Sequence, residues 1–230
     1  MSTRKLVIAI DGPAASGKST TAKLVAERLG YIHLDTGAMY RAITLKVLRA
    51  GISPGDADAI GRLARSTHVE LRRTGGATHV LLDGEDVSAE IRTPEVTRAV
   101  SAVSSQRAVR SVMVREQRQM GEHGGIVLEG RDIGTVVFPD ADVKFFLIAG
   151  IESRARRRAR ELRESGREAD VALLKQEIRE RDAQDSTREE SPLKRAADAI
   201  ELDTSELTIE EQVRIVLDTA RRKLEEAGKG

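Results

Sequence analysis

Eight residues, Gly12-Pro-Ala-Ala-Ser-Gly-Lys-Ser19, constrain this chain more than any other stretch. They follow the apolar run Leu6 to Ile10 and precede the helix-spaced stripe Ala22, Val25, Ala26 and Leu29, which stops at Gly30 as a helix C-cap requires. A glycine-containing turn between strand and helix brings several backbone N–H groups onto one anion. The helix behind it points the positive end of its dipole at the same place. This is the P-loop pattern, and it implies a bound polyphosphate. The candidate cradle is Gly12, Pro13, Ala14, Ala15, Ser16, Gly17, Lys18, Ser19 and Thr20. Lys18 supplies a point charge for the β and γ oxygens, and the Ser19 hydroxyl is a ligand for the Mg2+ that travels with a nucleotide. The alternative, a glycine turn that binds nothing, is disfavoured because strand, loop and helix all stand in order.

Further apolar runs recur at Tyr31 to Leu34, Ile126 to Leu128, Val143 to Ile148 and Ala199 to Leu202. With Leu6 to Ile10 they make five strands separated by helices. Short strands that are apolar at successive positions are buried on both faces, which predicts a doubly wound parallel sheet with phosphate at its carboxyl edge. Helices are expected over Ala38 to Ala50, Ser104 to Gly121, Glu152 to Ser165, Asp170 to about Arg188, and Ile209 to Leu224. Between about Thr67 and Arg92 the rhythm changes. Val69 and Leu71 alternate with polar residues, Gly75-Gly76 makes a turn, and His79 to Leu82 ends at Asp83-Gly84, which predicts a small antiparallel insert. The expected division is a core of 1–66 and 104–230 and an insert of 67–103.

Composition narrows the classes. The chain of 230 residues is 40% hydrophobic and carries a net charge of +1, which suits a globular protein without a nucleic-acid-coating surface. Cysteine is absent, so disulfides, thiolate nucleophiles and cysteine-ligated zinc are excluded. His33, His68, His79 and His123 show no ligand spacing and read as structural or exposed. No segment approaches the ~18 apolar residues of a membrane span, and the N-terminus lacks the order of a signal peptide, so a cytoplasmic location is expected.

A second anionic partner is suggested by three segments. In Val171 to Arg188 the stripe Val171, Leu174, Ile178 continues on one face as Arg181, Asp185 and Arg188, so a buried face turns ionic and calls for a charged ligand. The competing reading leaves these three solvated, paired with Glu177, Glu180 or Asp182. Glu152 to Ser165 surrounds Ala155, Ala159 and Leu162 with arginines, most of them solvated. One or two could close over a phosphoryl transfer, among them Arg157, which lies opposite the apolar stripe. At the end of the strand Ile126 to Leu128, Arg131 could clamp phosphate, Asp132 could accept from an exocyclic amine, and Glu129 could order Mg2+ through water. A charged turn with an internal Arg131 to Asp132 pair is the alternative there.

Together these residues resemble the bacterial cytidylate kinases, a branch of the nucleoside monophosphate kinases. The resemblance rests on Asp11-Gly12-Pro13, the run Leu34 to Arg41 (Leu-Asp-Thr-Gly-Ala-Met-Tyr-Arg), Asp86-Val87-Ser88 through Ile91-Arg92-Thr93, the run Gly130 to Pro139, and Glu180-Arg181-Asp182. It implies a P-loop kinase-like α/β fold, a doubly wound five-stranded parallel sheet with a small antiparallel NMP-binding insert and a helical lid over about 152–188. It implies that ATP phosphorylates CMP, with dCMP as a further acceptor, in pyrimidine metabolism, with ADP as co-product and Mg2+ as cofactor. By the same resemblance Thr36, Arg41, Arg131 and Arg188 hold the monophosphate; Ser101, Arg110 and Asp132 read the cytosine; and Asp185 with Arg181 holds the ribose. Lys18, Arg131, Arg157 and Arg188 are then the catalytic group. Thr36 stands where some members have serine, which keeps the hydroxyl. A monomer that binds neither nucleic acid nor membrane is expected. Two rival readings remain: a kinase for another small metabolite or nucleotide, and a nucleotide-dependent switch that hydrolyses ATP slowly and signals by conformation.

Overall fold

The computed structural model describes residues 5–74, 77–164 and 166–228. The predicted Gly75-Gly76 turn and Ser165 lie outside the described residues. In chain order the regular elements are β1 (Val7–Asp11), α1 (Lys18–Leu29), β2 (Ile32–Asp35), α2 (Thr36–Arg49), α3 (Ala57–Arg65), β3 (Val69–Thr74), β4 (Ala77–Leu82) and β5 (Glu85–Asp86). They continue with α4 (Pro94–Ser104), α5 (Arg107–Gly121), β6 (Ile126–Gly130), β7 (Val143–Ile148), α6 (Ile151–Glu164), α7 (Val171–Thr187), β8 (Ile200–Asp203) and α8 (Ile209–Ala227). A π-type turn spans Ile133–Val137.

All five core strands are where the apolar runs predict them, and they form one sheet in the order β2-β6-β1-β7-β8. β1 pairs in parallel with both β6 and β7, and β7 with β8. The chain leaves β1 toward β2 on one side and later returns to its other side as β7, so the carboxyl end of β1 is the switch point where such sheets bind ligands. The residues there are Asp11 and the loop that follows it. A second sheet, β3-β4-β5, is antiparallel and is the expected insert.

The chain divides into two compact units, 1–33 with 121–230, and 34–120. In the first unit Leu6, Ile8 and Ile10 of β1 and Phe145 and Leu147 of β7 are buried against Val25 and Ala26 of α1 and Val213, Val216 and Leu217 of α8. This core covers the sheet and fixes the start of α1, hence the phosphate loop. A smaller cluster, Ala155 and Ala159 of α6 with Leu174 and Ile178 of α7, joins those two helices. The second unit holds α2 to α5 and the antiparallel sheet, wider limits than 67–103.

Two helices differ from expectation. Neither α3 nor α4 was anticipated, and the helix expected from Ser104 to Gly121 is α5, which starts at Arg107. α4 has a regular start, with Thr93 as N-cap bonded to the Val96 amide and Pro94 in its first turn.

Candidate functional site

The phosphate loop begins where β1 ends, and its backbone is set by close packing. Gly12 has φ +152°, and a Cβ there would lie 2.2 Å from the Leu147 carbonyl oxygen of β7, so only glycine fits. Gly17, the N-cap of α1, has φ +92°, and a Cβ would meet Gln212 Oε1 at 2.9 Å. Gln212, buried on α8, also accepts from Thr21 Oγ1 at 2.9 Å, which ties the first turn of α1 to the core. Lys18 Nζ donates to the Pro13 carbonyl at 3.1 Å, so the lysine folds back along the loop. Thr204, fully buried after β8, has its Oγ1 2.8 Å from the Ser16 carbonyl oxygen.

Beside the loop a carboxylate stands on β6. Glu129 is 2% exposed; its Oε2 accepts from Ser19 Oγ at 2.5 Å, and its Oε1 lies 3.1 Å from His33 Nε2. Burial pushes its carboxyl up, but the His33 bond, the nearby Lys18 and His33 charges and the Ser19 hydroxyl outweigh burial and hold it below the usual range. A hydroxyl and an ionised carboxylate form an oxygen donor pair suited to a hard divalent cation, so Ser19 and Glu129 fit Mg2+. His33, read from sequence as structural or exposed, is the group that orients this carboxylate. Four scattered histidines gave no spacing signal that could have found it.

Arginines and aspartates gather on the segment after β6 and on α7, within the first unit. Arg131 Nε donates to Asp185 Oδ2 at 2.7 Å, and its Nη1 to the Gly12 carbonyl at 3.0 Å. Arg188, the C-cap of α7, donates through Nε to the Ser191 carbonyl at 2.7 Å, and its Nη2 lies 3.8 Å from Asp132 Oδ1. Burial would raise the Asp185 carboxyl, yet Arg131, Arg181 and Arg188 together hold it low. The stripe of α7 therefore does turn ionic while buried, as its spacing predicts, with Leu174, Ile178 and Asp185 all covered. Arg131 pairs with Asp185 and not with its neighbour Asp132. The expected solvated partner Asp182 instead binds Arg154 Nη2 at 2.6 Å.

Arg154 is the residue that helix spacing missed. It is 7% exposed and also donates through Nη1 to the Ala14 carbonyl of the phosphate loop at 3.3 Å. Arg157, read as lying opposite the stripe and free to reach toward a ligand, is half-buried and donates to Oγ1 of Thr204 at 3.0 Å and to its backbone carbonyl. These two of the α6 arginines thus end on the phosphate loop or on the threonine that supports it.

In the second unit, Asp35 caps α2 by accepting from the Ala38 amide at 3.0 Å, which starts the helix at the buried Thr36. Arg41, one turn further on, donates through Nη1 to Thr97 Oγ1 of α4 at 2.8 Å and to the Ile91 carbonyl at 3.2 Å. Arg110 of α5 is 4% exposed, donates to the Ser104 carbonyl at 3.4 Å and lies 5.3 Å from the centre of the Tyr40 ring. Ser101 sits half-buried on α4. Arg41 thus joins α2 to α4, and Arg110 of α5 meets α2 through Tyr40, a cation-π partner that the sequence did not single out.

A phosphate loop at the switch point of a parallel sheet, flanked by an oxygen pair for a cation and by a guanidinium on the loop itself, belongs to the P-loop kinases. The family model described as "Cytidylate kinase" matches residues 8–222. The chain is 52% identical to the cytidylate kinase of Bacillus pumilus over 219 residues (95% of this chain, 97% of the relative). It is 48% identical to that of Geobacter sp. strain M21 over 225 residues (98% and 97%). It is 50% identical to that of Symbiobacterium thermophilum over 221 residues (96% and 98%). The chain belongs to the cytidylate kinase family.

Proposed function

We propose that the protein transfers the γ-phosphoryl group of ATP to CMP, and to dCMP as a further acceptor, giving the diphosphate and ADP. The observation that carries this reading is Arg131, which holds the phosphate loop through Gly12 and an acceptor-side carboxylate, Asp185, with one guanidinium. Such a group serves both the donor and the acceptor of a phosphoryl group.

In the proposed reaction an oxygen of the CMP phosphate attacks the γ phosphorus in line. The bond to the β,γ-bridging oxygen breaks, and that oxygen leaves on ADP. The acceptor is already anionic, so no strong general base is required. The backbone N–H groups of residues 12 and 14 to 20 hold the ATP phosphates around Pro13, which has none to give, and Lys18 exchanges its Pro13 carbonyl for phosphate oxygens. Ser19, with Glu129 through water, would hold Mg2+, which when bound would supply positive charge to the phosphates. Arg131 and Arg188, with Thr36 and Arg41, bind the acceptor phosphate. Arg157 joins them by trading Thr204 for phosphate, as α6 and α7 act as a lid over about 152–188 that excludes water. Asp185 and Arg181 hold the ribose. Asp132 accepts from the cytosine amine with Arg110 and Ser101 on the ring acceptors, so uracil would set a carbonyl against a carboxylate. We place the enzyme in the cytoplasm as a monomer.

The test is ADP release with each common nucleoside monophosphate, with the products identified. CDP formed one for one with ADP, and CMP favoured over UMP and AMP, is the expected result. ATP turnover indifferent to CMP would point to the switch instead.

A further inference from the structure

Asp11 is a buried acid, 4% exposed, to which the reaction above gives no role. The parallel register sets it opposite Gly130, so its side chain reaches the residues that follow β6. Oδ1 accepts from the Ile133 amide and Oδ2 from the Gly134 amide, each at 2.8 Å. These amides open the π-type turn, where N–H groups have no partner within the turn itself. The next residue, Gly12, accepts from Arg131 Nη1 at 3.0 Å. Two consecutive residues at the mouth of the phosphate loop therefore hold both sides of Asp132. Burial pushes the Asp11 carboxyl up to about 6 against the pull of both amides, with Asp132 raising it further and Arg131 lowering it. Lys144, packed against Gly134, is committed to the Pro139 carbonyl and Asp198. The fold thus keeps an anion where a neutral side chain would be easier to bury, the mark of a group retained for its acceptor geometry.

We propose that Asp11 is a positioning residue: its carboxylate, shared between the Ile133 and Gly134 amides, fixes Arg131 and Asp132 against the phosphate loop and so sets acceptor recognition. The inference rests on the reading of Asp132 and Arg131 as acceptor-binding residues. An amide at position 11 keeps the shape but can accept at only one end, and it turns a donor toward the other N–H group.

The test compares Asp11→Asn, Asp132→Ala and the double variant in steady-state kinetics with CMP, UMP and ATP, together with thermal unfolding at pH 8. Asp11→Asn should raise KM for CMP ~10-fold or more, hold KM for ATP within ~2-fold and narrow the preference for CMP over UMP. Its melting temperature should change little, because losing a buried charge offsets leaving one N–H group without an acceptor. In the Asp132→Ala background, Asp11→Asn should narrow the preference no further. An unchanged KM for CMP in Asp11→Asn overturns the proposal whatever Asp132→Ala does. An unchanged preference in Asp132→Ala overturns the reading of Asp132 alone and leaves KM for CMP as the measure of Asp11. Should Asp11→Asn fail to fold, NMR of the parent decides. The Ile133 and Gly134 amide resonances should shift together as the Asp11 carboxyl protonates, and resonances that respond to different groups overturn the proposal.

Discussion

Lys18 and Gly12 lie in one loop and fail in different ways when replaced. Lys18 donates to a carbonyl of its own loop, a bond that phosphate replaces, so Lys18→Ala should lower kcat by ~10²-fold or more with little change in melting temperature. Gly12→Ala forces a Cβ onto the Leu147 carbonyl and should lower both activity and melting temperature. Circular-dichroism melts beside turnover assays separate the two. The buried aspartates differ in the same sense. Asp185 is held low by its arginines, so its stabilisation is complete above the ordinary carboxylate pKa of ~3.9 and fades as pH falls through the lower folded value. Asp185→Asn, which leaves Arg131 without its charge partner, should cost about 3 kcal/mol of stability at pH 7. The gap should stay constant down to about pH 5 and close below pH 4, as urea midpoints would show. For Asp11 the sign reverses, because a raised carboxyl makes ionisation oppose folding.

Element by element, the parts of the fold that sequence revealed are those whose residues carry their own reason. Five strands, the α7 face and the α8 stripe follow from periodicity within each segment. The capping box of α8 is local in the same way. Thr208 accepts from the Glu211 amide at 3.3 Å and Glu211 accepts from the Thr208 amide at 2.8 Å, so Thr208→Ala should cost about 1 kcal/mol and ~2–4 °C with turnover unchanged. α3 escaped because its buried face is Ile60, Gly61 and Ala64, a short stripe with one large side chain. α4 carries a start signal in Thr93-Pro94, but it lies in the stretch assigned to the antiparallel insert, so the alternating strands before it hid the helix. Arg154 and His33 were beyond local reading, since what defines each is a partner distant in sequence, Asp182 and Ala14 for one and Glu129 for the other. The π-type turn likewise takes its amide partner from Asp11, more than a hundred residues earlier. Packing separates the elements further. α6 and α7 share only a small cluster of buried apolar side chains, so their amides should exchange with solvent faster than those of β1, β6 and β7 in hydrogen-exchange mass spectrometry. Equal protection would argue against a lid that opens on its own.

Across the whole molecule the reading assigns two anionic ligands to a chain whose candidate residues are spread over both compact units. Ligands that bind only the folded state raise stability by mass action, about 2.7 kcal/mol at a concentration ~100 times Kd. For a chain of this length that corresponds to ~5–10 °C in melting temperature. ATP with Mg2+ and CMP should each produce such a shift in the parent, and UMP a smaller one. The variants then divide the shifts by ligand. Lys18→Ala should lose most of the ATP shift and keep that of CMP, whereas Arg188→Ala in the first unit and Arg110→Ala in the second should each lose the CMP shift and keep that of ATP. A protein that only binds and hydrolyses ATP predicts no CMP shift in any of them, so the parent's response to CMP decides between that reading and the kinase before any product is measured. The two arginine variants then decide whether one acceptor draws on both units: if Arg110→Ala leaves the CMP shift whole, the second unit's residues do not bind the base, and cytosine recognition must rest on Asp132 and its neighbours alone.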